Sequence, residues 1–199
     1  MESKNVLYFT NNEEIAVIAY KVGQDGRISP TTATDAPYDL ANNDKVKVVY
    51  IGAHVEQITW NGYRCGNLMN ILVEESNPNY TSVDGVLYTK DKKTLVAFPS
   101  GRKGDYEVLP GTKTIANFAF KTCKLSNIII PDSVEVIGEN VFYDCRWLDE
   151  IVLPDTVKKL SGQNNQNFQS IRQKIYFKSD TQKEHPYTIE QISERIGCK

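Results

Sequence analysis

The sequence predicts a mainly β chain built as a solenoid of short stacked strands, and three observations carry that expectation. The first is a recurrence of several residue types every 22 to 23 positions. The second is an excess of β-branched side chains, 17 Ile and 17 Val against 11 Leu and 9 Ala, which suits strands better than helices. The third is that no unit between successive copies holds enough apolar residues to fold alone, so neighbours must stack to bury a shared core.

The best copy runs from Ile128 to Leu148. Ile128-Ile129-Ile130 reads as a strand, and Pro131 ends it by removing a backbone donor. Asp132-Ser133 turns the chain, Val134 to Ile137 is a second short extended run, and Gly138 supports the next bend. Phe142, Cys145 and Leu148 are expected to point inward. One unit earlier, Pro110, Ile115, Phe120 and Cys123 match Pro131, Ile137, Phe142 and Cys145. One unit later, Pro154 and Leu160 match Pro131 and Ile137, and Val55, Ile58, Tyr63, Cys65, Leu68 and Ile71 form a worn copy upstream. Stacked in parallel about 4.8 Å apart, these units place like residues in continuous ladders.

A second repeat is laid over the first at an offset of 80. Val6-Leu7-Tyr8 matches Val86-Leu87-Tyr88, Ile15 matches Leu95 and Val17 matches Ala97. Each copy reads as strand, polar turn, strand, with turns at Asn11 to Glu14 and Asp91 to Thr94. At the C-terminus Thr188-Ile189-Glu190-Gln191 is a capping box, Ile189, Ile192 and Ile196 form one apolar stripe, and Gly197 supplies a stop. This helix is expected to cap the coil. The turn-rich stretch Gly23 to Asn43 is expected to cover its first rung, and residues 161–170 form a polar loop in place of a regular unit.

Units of the form Ile-x-Ile-Pro-x-x-Val-x-x-Ile-Gly-x-x-x-Phe-x-x-Cys-x-x-Leu resemble the BspA-type leucine-rich repeat, and the segment Asn79 to Tyr88 with Lys90 to Val96 resembles an insert of that family. The resemblance covers roughly residues 5 to 178. It implies a right-handed leucine-rich repeat solenoid of the α/β superhelix type, no enzyme activity, and protein or surface binding of the kind displayed by bacteria of mouth and gut. The organisation expected is one repeat domain over 1–199, with an N-terminal cap over 1–50, repeats over 51–178 with a hairpin insert at 80–98, and a cap helix over 179–199.

Little in the sequence points to chemistry. A net charge of −2 offers no basic face for nucleic acid, and no apolar run is long enough to span a bilayer. Met1 to Val6 has no leader pattern, and the compartment stays open between cytoplasm and cell surface. Cys65, Cys123, Cys145 and Cys198 form no Cys-x-x-Cys pair and, with His54 and His185 alone, suggest neither zinc nor a disulfide scaffold. They read as small buried hydrophobes. Acidic residues such as Asp132, Asp144, Asp149 and Glu150 are scattered over turns, and Gly101-Arg102-Lys103-Gly104 lacks the ending of a phosphate loop. No cofactor or metal is expected.

The candidate partner-binding residues are Tyr143, Arg146 and Trp147, which occupy positions where the resembling family carries small polar residues, with Trp60 and Tyr63 near the worn copy. Exposed Trp, Tyr and Arg are the types enriched at binding hot spots. The competing reading for both groups is ordinary packing between rungs, or contact with the hairpin insert. The function expected is a monomeric binding module for a protein or glycan, with a structural spacer that stacks with like units as the alternative.

Overall fold

The computed structural model describes residues 5–9, 15–22, 28–29, 31–33, 45–53, 55–58, 65–161 and 174–197. Its described residues form a β-solenoid of about five turns with one C-terminal helix. Each regular turn contributes two short strands, and like strands stack into two rows. The first row runs β10 (Thr94–Ala97), β12 (Thr114–Ile115), β14 (Val136–Ile137), β16 (Lys159–Leu160), all parallel. Leu95, Ile115, Ile137 and Leu160 stand in register along it and face the core. The second row holds β11 (Lys103–Glu107) paired with β13 (Lys124–Ile129), and β15 (Glu150–Leu153) paired with β17 (Lys174–Phe177). Pro131 and Pro154 end second-row strands as predicted, and their carbonyls accept from Val134 and Val157 N–H at 3.0 and 3.2 Å to close the turn.

Where the chain crosses back from first row to second, the ladder side chains become large. Phe98, Phe120 and Phe142 stack at 5.2 and 5.8 Å between ring centroids, with interplanar angles of 30° and 14°. Cys123 and Cys145 lie behind them in the same core. Phe142, Cys145 and Leu148 are all buried, as the pattern required. Phe98 begins this ladder one rung earlier than the aligned copies indicated.

The hairpin predicted at the N-terminus is β1 (Asn5–Phe9) with β2 (Ile15–Val22), antiparallel. From β2 a parallel set continues through β5 (Val48–Ile51) to β7 (Asn70–Val73). Within Gly23 to Asn43, β3 (Ile28–Ser29) pairs with β2 and β4 (Thr31–Ala33) pairs in parallel with β6 (Val55–Ile58). The rest of that stretch lies outside the described residues, as does the polar loop expected at 161–170 beyond Ser161.

The insert at 80–98 does more than interrupt the array. β8 (Tyr80–Val83) and β9 (Val86–Thr89) form a hairpin through Asp84-Gly85, both at positive φ (46° and 68°), the conformation a two-residue turn of the tightest kind demands. β9 then pairs with β10. Successive residues of a strand face opposite ways, and here both faces are covered. Val86 and Tyr88 enter the core of the C-terminal half, Leu87 enters a second core built on Val49, Ile51, Leu68 and Ile71, and all three are 0% exposed. The hairpin is the wall between two cores. At its foot the Tyr88 and Tyr106 hydroxyls meet at 2.8 Å, and burial pushes both phenols above their ordinary range.

The predicted helix is α1 (Ile189–Ile196). Gln191 N–H donates to Thr188 Oγ1 at 3.3 Å and Thr188 N–H donates to Gln191 Oε1 at 2.9 Å, so two orphan donors are satisfied reciprocally. Gly197 closes it at φ 74°. Ile192 is fully buried, and Ile189 and Ile196 pack at its side. Arg195 ties the helix to the last rung. Its guanidinium sits 4.1 Å from the Phe177 ring centroid and donates to Asp155 Oδ1 at 2.7 Å and Ser179 Oγ at 2.6 Å.

Candidate partner-binding edge

Tyr143, Arg146 and Trp147 share one turn between the two rows, and backbone geometry decides which way they face. Asn140 and Asp144 are held at φ 53° and 58°, and one rung earlier Phe118 and Thr122 are both at 60°. An aromatic residue at positive φ is uncommon, so the rung geometry overrides local preference here. Three inter-rung bonds hold the arrangement: Phe118 N–H to Glu139 O at 2.8 Å, Phe120 N–H to Val141 O at 3.0 Å, and Thr122 N–H to Tyr143 O at 2.8 Å. With Phe142 and Cys145 directed into the core, Arg146 and Trp147 are left on the outside.

Trp147 is 64% exposed, the largest value among the exposed large hydrophobics of the described residues. The spacing explains its exposure. Leu148 follows Cys145 by three residues, whereas Leu125 follows Cys123 by two, so Trp147 has no counterpart on the preceding rung to stack upon. Arg146 is exposed and its Nε donates to Asp144 Oδ1 at 2.6 Å, which raises the guanidinium pKa further. Tyr143 is half-buried, with Lys121 Nζ 5.6 Å from its ring centroid and 5.1 Å from that of Phe118. Packing between rungs therefore accounts for part of Tyr143, whereas Trp147 has no counterpart on the preceding rung among the described residues. Phe118 and Lys121 were missed at the sequence level, although each lies 22 residues before Asn140 and Tyr143 and a full alignment of turn positions finds them. Trp60 and Tyr63, the other two candidates, lie outside the described residues.

Several other charged groups among the described residues pair with one another. Lys113 and Lys158 Nζ reach the two Glu135 carboxylate oxygens at 2.8 and 3.0 Å across three rungs, and they hold that carboxyl below its usual range. Lys178 pairs with Asp132 at 2.7 Å. Among the described residues no group of three His, Cys, Asp or Glu could hold a metal ion, and no helix is long and apolar enough to cross a membrane. The Gly101–Gly104 segment is more than a solvated turn. Gly101 N–H donates to Leu68 O at 2.8 Å, and Arg102 donates from Nε to Met69 O at 2.6 Å and from Nη2 to Asn70 Oδ1 at 2.8 Å. Arg102 thus staples the C-terminal half to β7. A hollow of about 390 Å³ beside it is lined by Met69, Asp84, Lys103, Asp105 and Tyr106 among others.

Against known proteins, residues 110–194 match the model of the BspA type leucine-rich repeat region, in six copies. The chain is similar to the crystal structure of a leucine-rich repeat protein from Eubacterium ventriosum, at 30% identity and a TM-score of 0.60, over 66% of this chain and 36% of that one. It is also similar to the pneumococcal vaccine antigen PcpA, at 27% identity and a TM-score of 0.52, over 58% of this chain and 35% of that one. This chain therefore spans about a third of the length of either structure. No curated protein sequence matches it.

Proposed function

We propose, from the match of residues 110–194 to the BspA type leucine-rich repeat region, that the chain is a non-catalytic binding module whose partner is a protein or glycan at a cell surface. Trp147 carries the reading. A large aromatic held 64% exposed presents its apolar area to solvent, and such side chains dominate binding energy where a partner covers them. Tyr143 and Arg146 flank it on the same turn, with Lys121 and Phe118 one rung away. Inter-rung bonds fix the backbone of the edge before binding, so little backbone entropy is lost on association. The capped C-terminal end weighs against a spacer that extends by stacking on further copies, because α1 covers the last rung with a polar outer surface.

The test is binding of the fluorescently labelled chain to cultured intestinal epithelial cells, read as a saturation curve. The double substitution Tyr143→Ala, Trp147→Ala is expected to weaken binding about thirtyfold, a loss of roughly 2 kcal/mol at a hot spot. Glu135→Gln, on the ion-paired first row, is expected to leave the curve in place. Equal affinity for the double variant and the parent would overturn the assignment of this edge.

A further inference from the structure

The three described cysteines are not equivalent. Cys65 belongs to the N-terminal core, on the far side of the hairpin wall, and its carbonyl accepts from Ser100 Oγ at 2.7 Å. Cys123 and Cys145 occupy the same position on adjacent rungs of the C-terminal core, 22 residues apart, with their Sγ atoms 3.3 Å from each other and both side chains at most 1% exposed. Their backbones are drawn together next door, where Thr122 N–H donates to Tyr143 O at 2.8 Å. Neighbouring rungs stand about 4.8 Å apart, inside the roughly 4.4–6.8 Å between Cα atoms that a disulfide spans. To bond, the two sulfurs must close from 3.3 Å to about 2.05 Å.

From this juxtaposition we propose that Cys123 and Cys145 are an oxidation site, closing into an inter-rung disulfide when the chain folds in the presence of a disulfide oxidant. The exchange balances in two steps. One thiolate attacks a sulfur of the oxidant's disulfide and expels the other sulfur as a thiolate. The second cysteine, as thiolate, then displaces the other half of the oxidant from the mixed disulfide, so two oxidant thiols form, two electrons pass to the oxidant, and the cysteine protons pass to the released thiolates. In the folded coil the reaction is slow from either end. Burial, then the Cys123 neighbour, pushes the Cys145 thiol up, and both cysteines are at most 1% exposed to solvent. The pair therefore reacts during folding, while the rungs are still open.

The bond would clamp the two rungs that carry Phe118, Lys121, Tyr143 and Trp147. By closing a loop across a separation of 22 residues it restrains the unfolded chain as well.

The experiment is refolding of the denatured, reduced full chain in a buffer of oxidised and reduced glutathione, followed by trapping of remaining thiols, intact mass and tryptic mapping. Cleavage after Lys121, Lys124 and Arg146 isolates Cys123 in peptide 122–124 and Cys145 in peptide 125–146. The expected result is a chain lighter by two hydrogens, those two peptides linked, a native far-ultraviolet dichroism spectrum, and a thermal midpoint that falls when dithiothreitol is added. The chain carrying Cys65→Ala and Cys198→Ala is expected to give the same link. Recovery of Cys123 and Cys145 as trapped thiols overturns the proposal. So does a linked product without the native spectrum, or a link that runs through Cys65 or Cys198.

Discussion

Replacing Phe120 with Ala tests the logic of the stacked core most directly. Phe120 is fully buried at the middle of the aromatic ladder, with Phe98 at 5.2 Å, Phe142 at 5.8 Å and Tyr106 at 6.0 Å between ring centroids. Truncation removes the transfer free energy of a whole ring and leaves a cavity that cannot collapse, because the inter-rung bonds from Phe118, Phe120 and Thr122 hold the turns at fixed separation. Such changes cost about 3–5 kcal/mol. The lost contacts with two stacked rings, roughly 0.5–1.5 kcal/mol each, place this site at the upper end. Against a total stability of about 5–15 kcal/mol, that is a large share. In urea, with a slope of about 2 kcal/mol per molar, the midpoint followed by far-ultraviolet dichroism is expected to fall by about 2 M. Trp147→Ala serves as the internal control. It deletes a larger side chain one rung on, yet it is expected to move stability by no more than about 0.5 kcal/mol, since most of that ring is already in water. A midpoint shift for Phe120→Ala below about 0.5 M, or one matching the control, would refute the argument that the ladder is the source of cohesion.

Gly138→Ala is expected to destabilise by more than helix or strand propensity explains, because a Cβ there would meet Asn117 N at 2.5 Å and the Ala116 carbonyl carbon at 2.7 Å, both backbone atoms of the preceding rung; denaturant titration beside Gly104→Ala, where an added Cβ meets nothing within 4 Å but φ is 86°, separates crowding from conformational strain. Glu135→Gln is expected to flatten the acid limb of the stability curve. The carboxyl pKa is lowered by Lys113, then Lys158, from 4.5 in its reference state, so its contribution is present above that pH and is lost as pH falls through the lower folded value; stability measured from pH 7 downward at low salt checks the sign. Arg195→Ala is expected to loosen the C-terminal cap by about 1–3 kcal/mol through the lost charged hydrogen bonds to Asp155 and Ser179, visible as faster hydrogen exchange of β17 amides with those of β12 unchanged.

Much of this architecture is legible from residue spacing. Pro131 and Pro154, the Ile and Val pairs, and the Phe-x-x-Cys plugs each fall where the 22-to-23-residue period places them, and the capping box closes through the two side chains it names. The candidate edge is legible in part. Trp147 stands out as a residue type at a position, but its exposure follows from one extra residue between Cys145 and Leu148 that leaves it without a rung partner. Phe118 and Lys121 escape notice because their role depends on a backbone at φ 60°, and local sequence does not predict an aromatic there.

The sequence by itself determined the period, the strand and turn within each unit, the inward plugs and the terminal helix, because each rests on interactions a few residues apart or on repetition that a single chain displays. The tertiary structure alone decided that β9 divides two cores, that Arg102 staples one half to the other across some 33 residues, and that Cys65 stands in the other core from Cys123 and Cys145. Those outcomes depend on which surfaces meet after the coil has stacked, and they join residues that the 22-to-23-residue period does not relate.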